Sequence, residues 1–165
     1  MAIYPDLTSY NHAPQFAAGA PLNVGWLGSD TQWAATPPSS ELLDALWAVT
    51  QVVAAPSRGF HFCELCGKEE VITAQRLGER LLLGHAEIRV FGGAGEVYAA
   101  PDMLFHYVER HGYPPPAAFV RALLSSALPP DAAYFKRLSD LGLSWSDAMP
   151  CPPGGLVLQP KLTSP

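Results

Sequence analysis

An α+β fold is what the 165 residues predict, on three observations. Leu42, Leu46, Val49 and Val53 recur at helical spacing, with Leu43 and Trp47 beside them, as an apolar stripe that faces a core. Two apolar runs, Glu87–Phe91 and Glu96–Ala100, flank Gly92-Gly93-Ala94-Gly95 and read as a β-hairpin at about 87–100. Cys63-x2-Cys66 is followed later by His106-x4-His111, which are the ligand types and local spacings of a tetrahedral zinc site. Together they predict a small zinc-stabilised domain with a treble-clef-like knuckle and four or five helices.

Taken in order, residues 1–20 read as a loop-rich lead with one short strand near Ile3. Pro21–Gly28 is a strand or extended strap, since Gly25 and Gly28 weaken a long regular strand. Ser29–Pro38 is a turn-rich connection in which Trp33 anchors packing. The first helix spans Ser40 to about Ala54: Pro38-Ser39-Ser40 offers an N-cap, Glu41 suits the positive helix start, and Pro56 ends it. Gly59–Phe62 enters the Cys-x2-Cys turn as a strand, and Gly67 lets the chain leave that turn without strain. Glu69 to Leu83 has helical patterning interrupted by Gly78. A helix begins at Ala100-Pro101-Asp102, buries Met103, Leu104, Tyr107 and Val108, and stops at Gly112. Pro114-Pro115-Pro116 bends into a helix over Ala117–Leu128, Pro129-Pro130 closes it, and Asp131 caps a last one with Tyr134, Phe135, Leu138 and Leu141 on one side. The expected organisation is one globular domain over 1–145 and an extended or disordered tail over 146–165, rich in proline.

Composition narrows the function. Apolar residues make up 48%, too many for a disordered chain. A net charge of −5 argues against nucleic acid as the main partner, because neutralising phosphates needs a basic face. The acidity is skewed: Arg58 is the lone basic residue of the first 60, against Asp6, Asp30, Glu41 and Asp44. The opening has neither the basic start nor the apolar core of a signal peptide, and no run approaches the ~20 apolar residues of a bilayer span. The expected location is the cytoplasm, where thiols stay reduced and available to a metal.

The second ligand pair is less constrained than the first. His106 and His111 are five apart, which on an ideal helix separates them by roughly 140° unless the last turn unwinds. His61 and His85 are the rival ligands, His61 because a strand would point it to the same side as Cys63. Against zinc stand plainer readings: two small core cysteines or a redox pair, a hydrogen-bonded core His106, and a His111 favoured by the negative helix end.

Four stretches carry a resemblance. Arg58-Gly59-x-His61-x-Cys63-x2-Cys66, Gly84-His85-Ala86-Glu87-Ile88-Arg89-Val90, Tyr98-Ala99-Ala100-Pro101, and His106-Tyr107-Val108 followed by His111-x-Tyr113-x-Pro115-Pro116 together resemble a family of uncharacterised, mostly bacterial proteins. Tyr4–Tyr10 and Pro21–Leu27 fit the same pattern, which covers about residues 3–125. The resemblance implies that the His, Cys and Pro positions act in one unit, and it brings no activity with it.

Two functions follow as expectations. The first is a protein-interaction module (adaptor, inhibitor or immunity-type) whose zinc is structural and whose partner is another protein. Tyr4, Tyr10, Trp26, Asp30 and Trp33 would be its contact surface, since five aromatics fall within the first 33 residues without a periodic stripe to bury them. The second is a metal-dependent hydrolase with an open zinc position and Glu87, Glu96 or Glu109 as base.

Overall fold

A computed structural model describes residues 2–156, so Met1 and residues 157–165 of the expected tail lie outside the described residues. Its elements are β1 (Leu22–Asn23), α1 (Ser40–Thr50), β2 (Val52–Val53), β3 (Thr73–Arg76), β4 (Glu79–Leu82), β5 (Glu87–Phe91), β6 (Val97–Pro101), α2 (Leu104–His111), α3 (Ala117–Ser125), α4 (Ala132–Asp140) and β7 (Ser146–Asp147). The fold is α+β, with four α-helices and three small sheets among the described residues. None of these helices is long and apolar enough to cross a membrane.

The expected hairpin is the centre of the main sheet. β5 and β6 pair antiparallel with Val90 opposite Tyr98, and β1 adds to β6 in parallel, giving the order β1-β6-β5. Every residue of both hairpin strands is buried, including the charged Glu87 and Arg89 of β5, which pair with each other. α1 lies against β5, α2 and α3 through Leu46, Trp47 and Val49, and the Trp47 and Phe105 rings meet edge-on at 5.0 Å. Burying side chains of this kind contributes about 1.5–3 kcal/mol each, which gives the core a stability of its own.

Helix starts follow their caps. The Ser39 hydroxyl accepts from the Leu42 N–H at 3.1 Å, and the Asp131 carboxylate accepts from the Ala133 N–H at 2.8 Å. α1 stops at Thr50, short of Ala54, because after the C-cap Gln51 the β-branched Val52 and Val53 leave it to pair with β7. That pairing, the buried Ala148 and a bridge from Pro150 to Leu81 fasten the described part of the tail to the body.

The helix expected over 69–83 is absent; the segment is the β3–β4 pair. Leu77 (φ 51°) and Gly78 (φ 81°) both occupy the left-handed region, the two-residue turn whose twist matches paired strands. Gly78 interrupts the helical stripe for that reason. Nor is there a strand at Gly59–Phe62, where one backbone bond, from the His61 N–H to the Gly84 carbonyl at 2.6 Å, holds the chain. Leu77 is strained and 76% exposed. Leu77→Asn is therefore expected to stabilise the protein by about 0.5–1 kcal/mol, since Asn tolerates positive φ; a higher urea midpoint at unchanged slope is the check.

Candidate metal centre

The centre is built from two places in the chain. Cys63 precedes and Cys66 ends a one-turn 3-10 helix over Glu64–Cys66, with the Cys66 N–H donating to the Cys63 carbonyl at 3.2 Å. The second place is the end of α2, which runs through His111 and closes at Gly112 in the left-handed conformation (φ 61°). The last turn does not unwind. The imidazoles themselves reach around the helix, and their centroids come within 5.0 Å of each other.

The orphan carbonyls of the helix end are taken up by the segment after β1. Trp33 Nε1 donates to the His111 carbonyl at 3.1 Å, and the Thr36 N–H donates to the Gly112 carbonyl at 2.9 Å. Trp33 also stands edge-on to Tyr113, whose hydroxyl donates to Asp6. On the other side, the Glu64 carboxylate accepts from the Ser29 N–H at 2.9 Å. The first third of the chain thus braces both ligand pairs.

One ligand atom from each of Cys63, Cys66, His106 and His111 lies within 4.8 Å of the other three. His111 Nε2 is 3.4 Å from each sulfur and 3.2 Å from His106 Nε2, which is itself 3.3 Å from Cys66 Sγ. A single imidazole nitrogen carries one proton or one lone pair, so it cannot hydrogen-bond three such neighbours at once. A cation at the middle satisfies all four. These residues could hold a metal ion.

Their protonation suits that role. Burial, then the neighbouring His111 and Arg110, lower His106 from its ordinary 6.5 to about 4, which keeps its lone pair available at neutral pH. Burial and then Arg110 also lower His111. Burial, then Cys66, push the Cys63 thiol up to about 11, so an arriving cation displaces a proton from it. A histidine whose folded pKa is depressed stabilises the fold above its unfolded value. That contribution is lost as protons bind the unfolded chain first. The metal-free protein should lose stability as pH falls from about 6.5 toward about 4, and His106→Gln should flatten the pH dependence of the chemical-denaturation midpoint in that window.

The rival ligands are elsewhere. His85 is buried, with Nδ1 2.9 Å from Asp102 Oδ2 and its ring stacked 5.5 Å from Phe60. His61 is exposed and lines a small cavity with His12, Glu87 and Asp102. Without a strand at Gly59–Phe62, nothing turns His61 to the side of Cys63. The suggested partner surface is also divided. Tyr10 and Trp26 are 6% and 3% exposed and belong to the core, Trp26 donating to the Ala99 carbonyl and Tyr10 to Glu87. Tyr4 and Trp33 are half-buried, and Asp30 is exposed. Of the three candidate bases, Glu87 is paired with Arg89, and Glu96 accepts from the Ala94 N–H of its own turn. Glu109 lines a cleft of about 630 Å³ beside Cys66 and His106. The sequence offered Trp33 as a packing anchor, but it holds no local signal that Trp33 braces His111 or that Glu64 holds Ser29.

Fold and cluster together define a small α+β domain carrying a Cys2His2 constellation able to hold a metal. The chain belongs to the family described as a domain of unknown function, DUF7919, whose model matches residues 2–124 and so takes in all four cluster residues. No curated protein and no solved structure matches the chain.

Proposed function

We propose that this is a zinc-stabilised protein-interaction module of the cytoplasm, an adaptor, inhibitor or immunity-type protein, in which the metal is structural. The observation that carries the reading is the shape of the donor set. Ordinary Zn–S and Zn–N lengths give a tetrahedron with edges of about 3.6 Å between sulfur and nitrogen and about 3.3 Å between nitrogens. The separations of 3.3–3.4 Å and 3.2 Å are close to those edges. Two soft thiolates with two imidazoles favour zinc over the hard cations. Four protein donors close the coordination shell and leave no position for a substrate.

The metal fixes the knuckle against α2, and the knuckle is braced by the segment that carries Asp30 and Trp33. The proposed partner surface is therefore the exposed knuckle together with Asp30 and Trp33; Tyr10 and Trp26 have no part in it. In this reading the knuckle, the following strands and α2 form a treble-clef-like unit, with the β3–β4 pair inserted before the hairpin. A metal-dependent hydrolase is the alternative, supported by Glu109 in the cleft at Cys66 and His106; it requires one of the four donors to leave the metal.

Elemental analysis of protein purified without chelator tests the reading. One zinc per chain, with X-ray absorption showing two sulfur and two nitrogen neighbours, is the expected result. Protein that carries no metal overturns the zinc reading. A shell containing water together with hydrolysis of ester or phosphoester substrates overturns the structural role.

A further inference from the structure

We propose that Cys66 is an oxidation site for hydroperoxides and Cys63 its resolving partner, so that peroxide converts the pair to a disulfide and expels the metal. The proposal rests on the zinc reading above and goes beyond it. Four observations carry it. The two cysteines differ in access: Cys66 is exposed, whereas Cys63 is 0% exposed. The turn bond between them closes four residues, whose end Cα atoms lie within about 7 Å in such a turn, and disulfides span about 4.4–6.8 Å between Cα atoms. Both sulfurs belong to a donor set only 4.8 Å across. Cys66 opens onto the 630 Å³ cleft, which also presents Lys68 and Arg110 to a departing anion. The remaining thiol, Cys151, lies outside the donor set, 3.9 Å from the Thr73 hydroxyl.

The chemistry balances with the peroxide as oxidant. Metal coordination keeps the thiols deprotonated. The Cys66 sulfur attacks the terminal peroxide oxygen; an S–O bond forms, the O–O bond breaks, and hydroxide leaves from hydrogen peroxide or an alkoxide from an organic hydroperoxide. The Cys63 sulfur then attacks Cys66; the S–S bond forms, the S–O bond breaks, and hydroxide leaves. Two thiolates have lost two electrons and the peroxide has gained them. The metal is left with two imidazoles, too few to hold it. The knuckle then keeps its backbone ties, His61 N–H to Gly84 and Ser57 N–H to His85, both 2.6 Å, the Phe60–His85 stack, the packing of Leu65 and the Ser29–Glu64 bond, and loses the cross-link to α2. It loosens while the core stays folded.

The test uses the full chain bearing Cys151→Ser, loaded with zinc, and stoichiometric hydrogen peroxide. A chromogenic chelator reads released metal, and intact mass without reductant reads the disulfide as a loss of two hydrogens. The expected result is full loss of the bound zinc in step with that mass change, both reversed by a dithiol and added zinc. A sulfenic-acid trap present during the reaction should mark Cys66. The proposal is overturned by a loaded chain that keeps its zinc, by stable oxygen adducts on Cys66 without a disulfide, by disulfides only between chains, or by trapping at Cys63. A chain that holds no metal before peroxide is added overturns the zinc reading, and the release step with it, which separates the two failures.

Discussion

On the zinc reading, Cys63→Ser loses the metal and melts below the chelated wild-type protein. Two effects add. The metal binds the folded state and finds no assembled site in the unfolded chain, so its binding energy is folding energy. Removing a metal site belongs to the severe class of substitutions, about 3–5 kcal/mol here, which for a chain of this size is a fall of roughly 6–20 °C. Complete unfolding is not expected, because the sheet and α1–α3 bury a core of their own. The second effect is local: Cys63 is fully buried beside apolar neighbours, and the serine hydroxyl there costs about 1–3 kcal/mol further. Cys66→Ser carries no such burden, since Cys66 is exposed, and should melt with the chelated wild type. A melting temperature that chelation does not move would show that the metal holds nothing together.

Cys63, Cys66, His106 and His111, the set the sequence suggested, do come together as one cluster that could hold a metal. His61 and His85 were not separable from them by spacing alone; a single backbone bond at His61 and the Asp102 carboxylate beside His85 place them away from the cluster. The hairpin at Glu87–Phe91 and Val97–Pro101 was legible from its glycines and β-branched flanks. The β3–β4 pair was not, since Val71, Ile72, Leu77 and Leu81 imitate a helical stripe and only Gly78 objects. Leu77 is in the turn, and its exposure shows that the stripe was never a face. The aromatics of the first third showed no period because they fasten an irregular strap: Tyr10 and Trp26 are held by Glu87 and Ala99, residues more than 70 positions away.

That strap is fastened by the one fully buried cation among the described residues, and Arg89→Met is expected to be the most damaging single change outside the metal centre. Arg89 is 0% exposed. Its Nη1 donates to Glu87 Oε2 at 2.7 Å, its Nη2 donates to the Phe16 carbonyl at 3.2 Å, and its guanidinium lies 5.2 Å from the centre of the Tyr10 ring. The Tyr10 hydroxyl donates to the other Glu87 oxygen at 2.9 Å, and the Tyr134 hydroxyl of α4 donates to the Arg89 carbonyl at 2.8 Å. Strand, strap and last helix thus meet at one ion pair. Met fills similar space but leaves the Glu87 carboxylate buried without its counter-charge, which costs about 3–5 kcal/mol. Adding Glu87→Gln removes the stranded charge and keeps an oxygen for Tyr10, so the double variant should recover most of the loss. The coupling energy between the two positions should then reach about 2 kcal/mol or more. Metal content should stay at the wild-type value in both variants, because neither residue is hydrogen-bonded to Cys63, Cys66, His106 or His111. Urea unfolding of the wild type, both single variants and the double measures the cycle. A single variant costing under about 1 kcal/mol, or a double no better than Arg89→Met alone, would mean that packing and not charge holds the strap to the sheet.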